Sequence, residues 1–357
     1  EPVKALAWGV LVAGILQLAV QLPVLARHGV LPRPGPGFGH PGVRRILRLM
    51  VPTLFGSSVA QINLLLDVLI ASLLISGSLS WLYYADRLME FPLGLFGVAL
   101  STVILPSLAG LYARRQVEQF RATLDWAVRL GVVIGLPAAC GLAVLAEPIN
   151  VALFHYGAFE MADVRMAAMA LMAYCLGLPA FIGVKILAPA YFSRQDTRTP
   201  VRIAIIALLS NMLLNAVFVL LLVHHLSGGD FSAGLLATLG AHPGAHVALA
   251  LASSASAWIN AGLLWRNLEA PGLKPHLRWG DLARSVPACL GMVWMVSMVV
   301  PDLNSLAGLG PAGRAGWLAL AMLAGVVSYA CILMLLGLRP AQLARPASQP
   351  PEGGASS

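Results

Sequence analysis

Apolar runs recur along this chain at the length a bilayer demands. They lie at 4–26, 49–75, 81–111, 127–150, 165–192, 201–225, 244–265, 283–301 and 314–337. Each can carry a helix across ~30 Å of hydrocarbon. The pattern predicts about nine transmembrane helices and an all-α, polytopic membrane protein. Composition agrees, with 59% hydrophobic and only 11% charged residues, where a soluble domain carries about 25% charged. Pro52, Pro92, Pro106, Pro137 and Pro179 fall inside the runs. Such breaks are tolerated in membrane helices where neighbours or a cavity satisfy the freed backbone groups.

The net charge of +8 does not point to nucleic acid, because the cations sit between the runs and not in one patch. Link 27–48 carries Arg27, Arg33, Arg44, Arg45 and Arg48, whereas the next, near Ser76, carries none. The alternation repeats with Arg114, Arg115, Arg121 and Arg129 against Arg165, then Arg194, Arg198 and Arg202 against an empty 224–243 loop. Arg266, Lys274, Arg278 and Arg284 against Arg314 complete it. Basic loops stay cytoplasmic, so the 27–48 link and the C-terminus are expected inside and the first residue outside. An external start suggests that an odd number of helices precedes this sequence. The stretch 338–357, rich in Pro, Ala, Ser and Gly, reads as a disordered cytoplasmic tail.

Charges inside the runs are the candidates for function, since each costs a few kcal/mol or more at bilayer depth. Asp86, Arg87 and Glu90 lie in the 81–111 run, on neighbouring helical rows. Two readings stand. One is a structural ion-pair cluster near the outer end of the helix. In the other, Arg87 faces an aqueous cavity and holds a phosphate-like anion through its bidentate donors. Asp67, with Asn63 one turn before it, is a lone carboxylate suited to ion or proton coupling, or held neutral by burial. Asn211 and Asn215 share a helix face, either as part of an ion site or as a bridge between helices. Lys185 either lines the cavity or snorkels to the headgroups. Asp196 or Thr199 is expected to cap the helix that Pro200 opens.

Other chemistries lack their residues. Cys140, Cys175, Cys289 and Cys331 all lie in apolar runs without a CxxC, and read as buried thiols with no disulfide or metal role. His155, His224, His225, His242 and His246 fall in or beside outer loops without a ligand pattern. Gly35-Pro-Gly-Phe-Gly lacks the lysine of a phosphate loop, and there is no Gly-x-Ser-x-Gly elbow. No cofactor and no metal are expected.

The run Trp81-Leu-Tyr-Tyr-Ala-Asp-Arg-Leu-Met-Glu-Phe-Pro through Leu108 resembles the MurJ (MviN) family of lipid II flippases, in the exporter superfamily that includes MATE transporters. A second block, Lys185-Ile-Leu-Ala-Pro-Ala-Tyr-Phe-Ser-Arg-Gln-Asp-Thr-Arg-Thr-Pro, is similar to that family's link between its tenth and eleventh helices. The opening Ala-Leu-Ala-Trp-Gly-Val-Leu looks like its sixth helix. The resemblance implies a two-bundle exporter fold of fourteen helices, of which this chain holds helices six to fourteen and lacks the first five. Five is odd, in keeping with an external start.

On that resemblance, 1–26 closes the N-terminal half and 27–48 is a basic cytoplasmic linker. Residues 49–225 form the bundle with the cavity motifs. An outer loop and helix at 226–265 and a cytoplasmic linker at 266–282 follow. Residues 283–337 are two C-terminal helices forming a groove for the lipid tail. The resemblance also implies that Arg87 and Glu90, with Asp86 and Lys185 beside them, handle the headgroup of lipid II, the undecaprenyl-pyrophosphate peptidoglycan precursor. It further implies that Asp67, Asn211 and Asn215 correspond to a sodium site, here one charge poorer because 215 is Asn. Coupling to Na+, H+ or the membrane potential stays open. The implied setting is the bacterial cytoplasmic membrane, with membrane lipids and the cell-wall synthesis machinery as partners. Two other activities fit less of the sequence: another polysaccharide-lipid flippase or drug/cation antiporter, and a membrane-embedded prenyl-phosphate transferase using Asp125, Asp196 or Asp281. A scaffold without transport is the remaining alternative.

Overall fold

A computed structural model describes residues 2–29, 39–226, 244–268, 275 and 279–338. Among these no strand occurs. The helices are α1 (Pro2–Arg27), α2 (Pro41–Ser72), α3 (Ser78–Pro92), a π-helical segment (Leu93–Val98), α4 (Ala99–Ala113), α5 (Val117–Val144) and α6 (Ala146–Phe154). They continue as α7 (Met161–Phe192), α8 (Arg198–Leu226), α9 (His246–Asn267), α10 (Trp279–Val299), α11 (Leu303–Gly308) and α12 (Pro311–Leu335). Contacts divide the chain within α2, into residues 1–51 and 52–357. The first unit holds α1 and the opening turns of α2.

Eight described helical stretches are long and apolar enough to cross a membrane, and Gln61–Ser72 of α2 is a shorter apolar one. The protein is thus an all-α, multi-pass membrane protein. The expected run at 127–150 is corrected: α5 starts at Val117, and α6 takes over at Ala146. The reason is an amphipathic start. Phe120, Leu124 and Ala127 recur at helical spacing and are fully buried, while polar residues between them hide this turn from a search for continuous apolar runs. Arg121 and Arg129 therefore lie on a helix and not in a loop, as do Arg44 and Arg48 on α2. The 226–243 loop beyond Leu226, Arg33, Lys274, Arg278 and the tail beyond Leu338 lie outside the described residues.

Pro92 closes α3 and has no N–H for the helical ladder. The chain answers with the wider π turn of Leu93–Val98 before α4 resumes. In the core, α7 packs against α3, α4, α5, α6 and α9. It crosses α9 at Gly177, where a Cβ would stand only 2.7 Å from the Ser254 Cα. Small residues admit this approach, and the Ser254 hydroxyl donates across it to the Ala173 carbonyl at 2.7 Å. Glu160 and Asp163 form a capping box at the start of α7.

The C-terminal helices α10 and α12 pack on each other and on α5 and α6. Polar ties hold them there. Arg129 of α5 pairs with Asp281 of α10, Nε to Oδ2 at 2.8 Å. The Tyr329 hydroxyl of α12 donates to the Val133 carbonyl at 2.7 Å. Arg314, counted above as a loop cation, is in fact buried at the start of α12. Its guanidinium donates to the carbonyls of Val151, His155, Ala307 and Leu309 and lies over the Tyr156 ring. It thereby satisfies carbonyls at the ends of α6 and α11 that those helices leave open.

Candidate functional site

On α3, Arg87 and Glu90 are three residues apart and so on adjacent rows. Arg87 NH1 lies 2.6 Å from Glu90 Oε2, with the side chains 54% and 50% exposed. The guanidinium sits 5.0 Å from the centre of the Tyr83 ring, one turn earlier. Asp86, the residue before Arg87, interacts electrostatically with both Arg87 and Glu90. It is half-buried, and its charge also acts on Asp67. The cluster thus comprises an open Arg–Glu pair and a half-buried carboxylate whose charge acts on that pair and on Asp67.

Directly after Glu90, the helix turns apolar. Phe91 and Pro92 begin the wall of a cavity of about 510 Å³ whose other walls are α5, α10 and α12, including Pro137, Gly141, Met292 and Tyr329. An exposed cation–anion pair therefore adjoins a long apolar gap on one helix. Lys185 is exposed, and its stem packs on the π segment: its Cγ would lie 3.4 Å from a Cβ at Gly97. Any residue larger than glycine there would press on Leu93 and Lys185.

The second group gathers from three helices. Asn63 Nδ2 donates to Asp67 Oδ2 at 3.1 Å, both on α2. Asn215 Nδ2 of α8 donates to Asp67 Oδ1 at 2.7 Å and to Asn211 Oδ1 at 2.9 Å. Asn211 reaches Ser253 of α9 at 3.2 Å. The Asn211 amide fits its neighbours better turned over, its nitrogen then facing Asn63 Oδ1 and Asp67 Oδ1 and its oxygen accepting from the Ser253 hydroxyl. Asn211 and Asn215 are buried, and Asn215 Oδ1 has no hydrogen-bond partner. The three residues singled out in the sequence thus meet at one point. Oxygen donors, an orphaned amide oxygen and one carboxylate suit a hard monovalent cation: one positive charge neutralises Asp67, whereas two would leave an uncompensated charge at membrane depth.

Several other expectations change. Cys175 and Cys289 are buried, but Cys140 is only half-buried and Cys331 is exposed on α12. His246, beside the outer loop as expected, opens α9 and is fully buried, with Nε2 3.0 Å from the Met166 carbonyl and its ring 4.9 Å from that of Trp81. His242 lies outside the described residues. No group of three or more His, Cys, Asp or Glu side chains that could hold a metal occurs among the described residues. Of the acids considered for transferase chemistry, Asp281 is paired with Arg129, and Asp196 Oδ1 accepts from the Thr199 N–H at 3.0 Å, capping α8.

Ser253 was not singled out from the sequence. Its signal was there in Ala252-Ser-Ser-Ala-Ser-Ala, a hydroxyl-rich stretch inside an apolar run. Tyr83 was likewise missed, although it precedes Arg87 by one turn. The Arg129–Asp281 pair spans 152 positions, and no local pattern joins its members.

Comparison with known proteins adds a consistent result. The family described as "Lipid II flippase MurJ" matches residues 1–308. A Vibrio cholerae protein described as "Probable lipid II flippase MurJ" is 42% identical over 342 residues, covering 95% of this chain and 61% of its own. A Haemophilus influenzae protein of the same description is 42% identical, covering 95% of this chain and 64% of its own. One from Burkholderia cenocepacia, "Lipid II flippase MurJ", is 45% identical over 242 residues, which is 67% of this chain and 46% of that protein. The solved structure "Lipid II flippase MurJ, inward closed conformation" aligns with a TM-score of 0.62 at 25% identity, over 82% of this chain and 54% of that one. The chain therefore spans somewhat more than three-fifths of the length of the first two relatives.

Proposed function

The chain belongs to the lipid II flippase MurJ family, and from that premise we propose that it serves as the C-terminal part of a lipid II flippase of the bacterial cytoplasmic membrane. It carries the undecaprenyl-pyrophosphate precursor from the inner to the outer leaflet by alternating access, as a transporter and not as an enzyme. One observation carries the reading. The exposed Arg87–Glu90 pair is followed immediately by Phe91 and Pro92 on the wall of the 510 Å³ apolar cavity. A charged headgroup with a long hydrocarbon tail is the molecule that needs both surfaces side by side.

In this mechanism Arg87 leaves Glu90 to take the pyrophosphate, a planar fork exchanging one anion for another. Glu90 and Tyr83 hold the guanidinium extended until the headgroup arrives. Asp86 and Lys185 border the same path. The tail lies along α5, α10 and α12. A monovalent cation, Na+ or H+, bound at Asp67 with Asn211, Asn215 and Ser253 ties α2, α8 and α9 together and biases one of the two access states. Membrane potential acts on Arg87 and on that cation. The basic loops and the C-terminus face the cytoplasm. Membrane lipids surround the protein, and the cell-wall synthesis machinery consumes its product.

The test is the accessibility of lipid II in the outer leaflet of cells or vesicles carrying the complete protein. Arg87→Ala should lower it about tenfold or more, the cost of losing a bidentate charged contact. Undiminished transport by that variant removes Arg87, and with it this reading of α3.

A further inference from the structure

We infer that the buried Arg129–Asp281 pair is a positioning device for the tail cavity: it fixes the separation and rotation of α10 against α5, and so the length of tail the cavity accepts. The inference rests on the reading of the cavity as the site of an isoprenoid tail.

The side chains of Arg129 and Asp281 are only 13% and 7% exposed. Two charges taken out of water are seldom more stabilising than apolar residues of the same volume would be. What an Arg–carboxylate pair adds is geometry. NH2 donates to Oδ1 at 3.2 Å, and Nε stands 2.8 Å from Oδ2 as a charge contact without hydrogen-bond alignment, so one directional bond and one ionic contact together fix the approach of the two helices. Asp281 also sits in the first turn of α10, where the helix favours an anion.

The location matters as much as the chemistry. Val133, one turn beyond Arg129, lines the 510 Å³ cavity. Val128 and Leu282, the immediate neighbours of the pair, line a second apolar cavity of about 300 Å³ between α5, α7 and α9. The pair thus stands one turn from the wall of the larger cavity and directly beside residues that wall the smaller one. Tyr329 ties α12 to α5 at Val133, and Arg314 pins the opposite end of α12 to α6. The helices that wall the cavity are thus tied to one another, and the pair ties α10 to α5 one turn before the Val133 wall.

The experiment measures binding of lipid pyrophosphates with one headgroup on long and short isoprenoid chains to the purified complete protein, with transport followed in parallel. Replacing both charges together, Arg129→Met with Asp281→Leu, removes the tie without stranding a charge. It should weaken binding of the long chain about tenfold, the loss of about two methylene contacts, and leave the short chain unchanged. Arg129→Lys, which keeps the charge but not the fork, should show the same selectivity in smaller measure, and it guards against a double variant that does not fold. Exchanging the residues, Arg129→Asp with Asp281→Arg, should restore long-chain binding. Unchanged long-chain binding in the double variant and in Arg129→Lys overturns the inference, as does an equal loss on both chains. A parent protein that binds these lipids but moves none of them overturns the proposed function instead.

Discussion

Two arginine–carboxylate pairs, one on α3 and one between α5 and α10, have nearly the same contact distance and opposite surroundings. Arg87 and Glu90 stand 2.6 Å apart with half of each side chain exposed; Arg129 and Asp281 stand 2.8 Å apart and are nearly closed off. Distance therefore says little about what a pair is for. The open pair joins neighbours on one helix, adds little to stability and can be given up to a ligand. The closed pair joins residues 152 positions apart and cannot be opened without leaving a charge stranded in apolar surroundings.

The sharpest way to break this comparison is to remove one carboxylate from each pair. Asp281→Ala strands Arg129 and should destabilise the protein by about 3–5 kcal/mol, seen as a large drop in thermal midpoint in detergent. Glu90→Ala should leave the midpoint where it was. A similar response from both variants would mean that burial does not separate the two pairs.

The open pair was legible in the sequence because its spacing is local: three residues on a helix whose existence the apolar run already required. Asp67, Asn211 and Asn215 were legible in another way. Each is a polar residue where the run allows none without a reason, and the four-residue spacing of the two asparagines placed them on one face. Their meeting with Asp67, 148 positions away, came from family resemblance and not from pattern. The closed pair was hidden twice. Arg129 was counted into a loop because α5 begins with amphipathic turns, and its partner lies on a helix whose position only tertiary packing determines. Arg314 shows the same limit: an arginine at a span boundary reads as a loop cation until the carbonyls of α6 and α11 converge on it.

Asp67 extends the comparison to a carboxylate that has amides in place of an arginine. If those amides and a monovalent cation neutralise it, transport should rise with that cation. Asp67→Asn should abolish the increment, of the order of fivefold for a coupled site, while leaving the residual rate. Lipid II accessibility measured in sodium, and in choline at the same pH, tells Na+ from H+. A variant as cation-responsive as its parent would detach the Asn211–Asn215–Ser253 group from coupling.

Tyr329→Phe is a milder probe than Asp281→Ala, since it strands no charge: it deletes one neutral tie between α12 and α5 and keeps the ring that lines the cavity. The Val133 carbonyl that loses its donor is the one that Pro137, four residues on in α5 and without an N–H, leaves open in the helical ladder. A cost of about 1–3 kcal/mol is therefore expected, read as a moderate fall in thermal midpoint, with the preference for long isoprenoid chains retained. If the fall instead matched that of Asp281→Ala, the neutral tie and not the ion pair would be what holds the C-terminal helices, and the contrast between open and closed pairs would cease to explain where this protein is rigid.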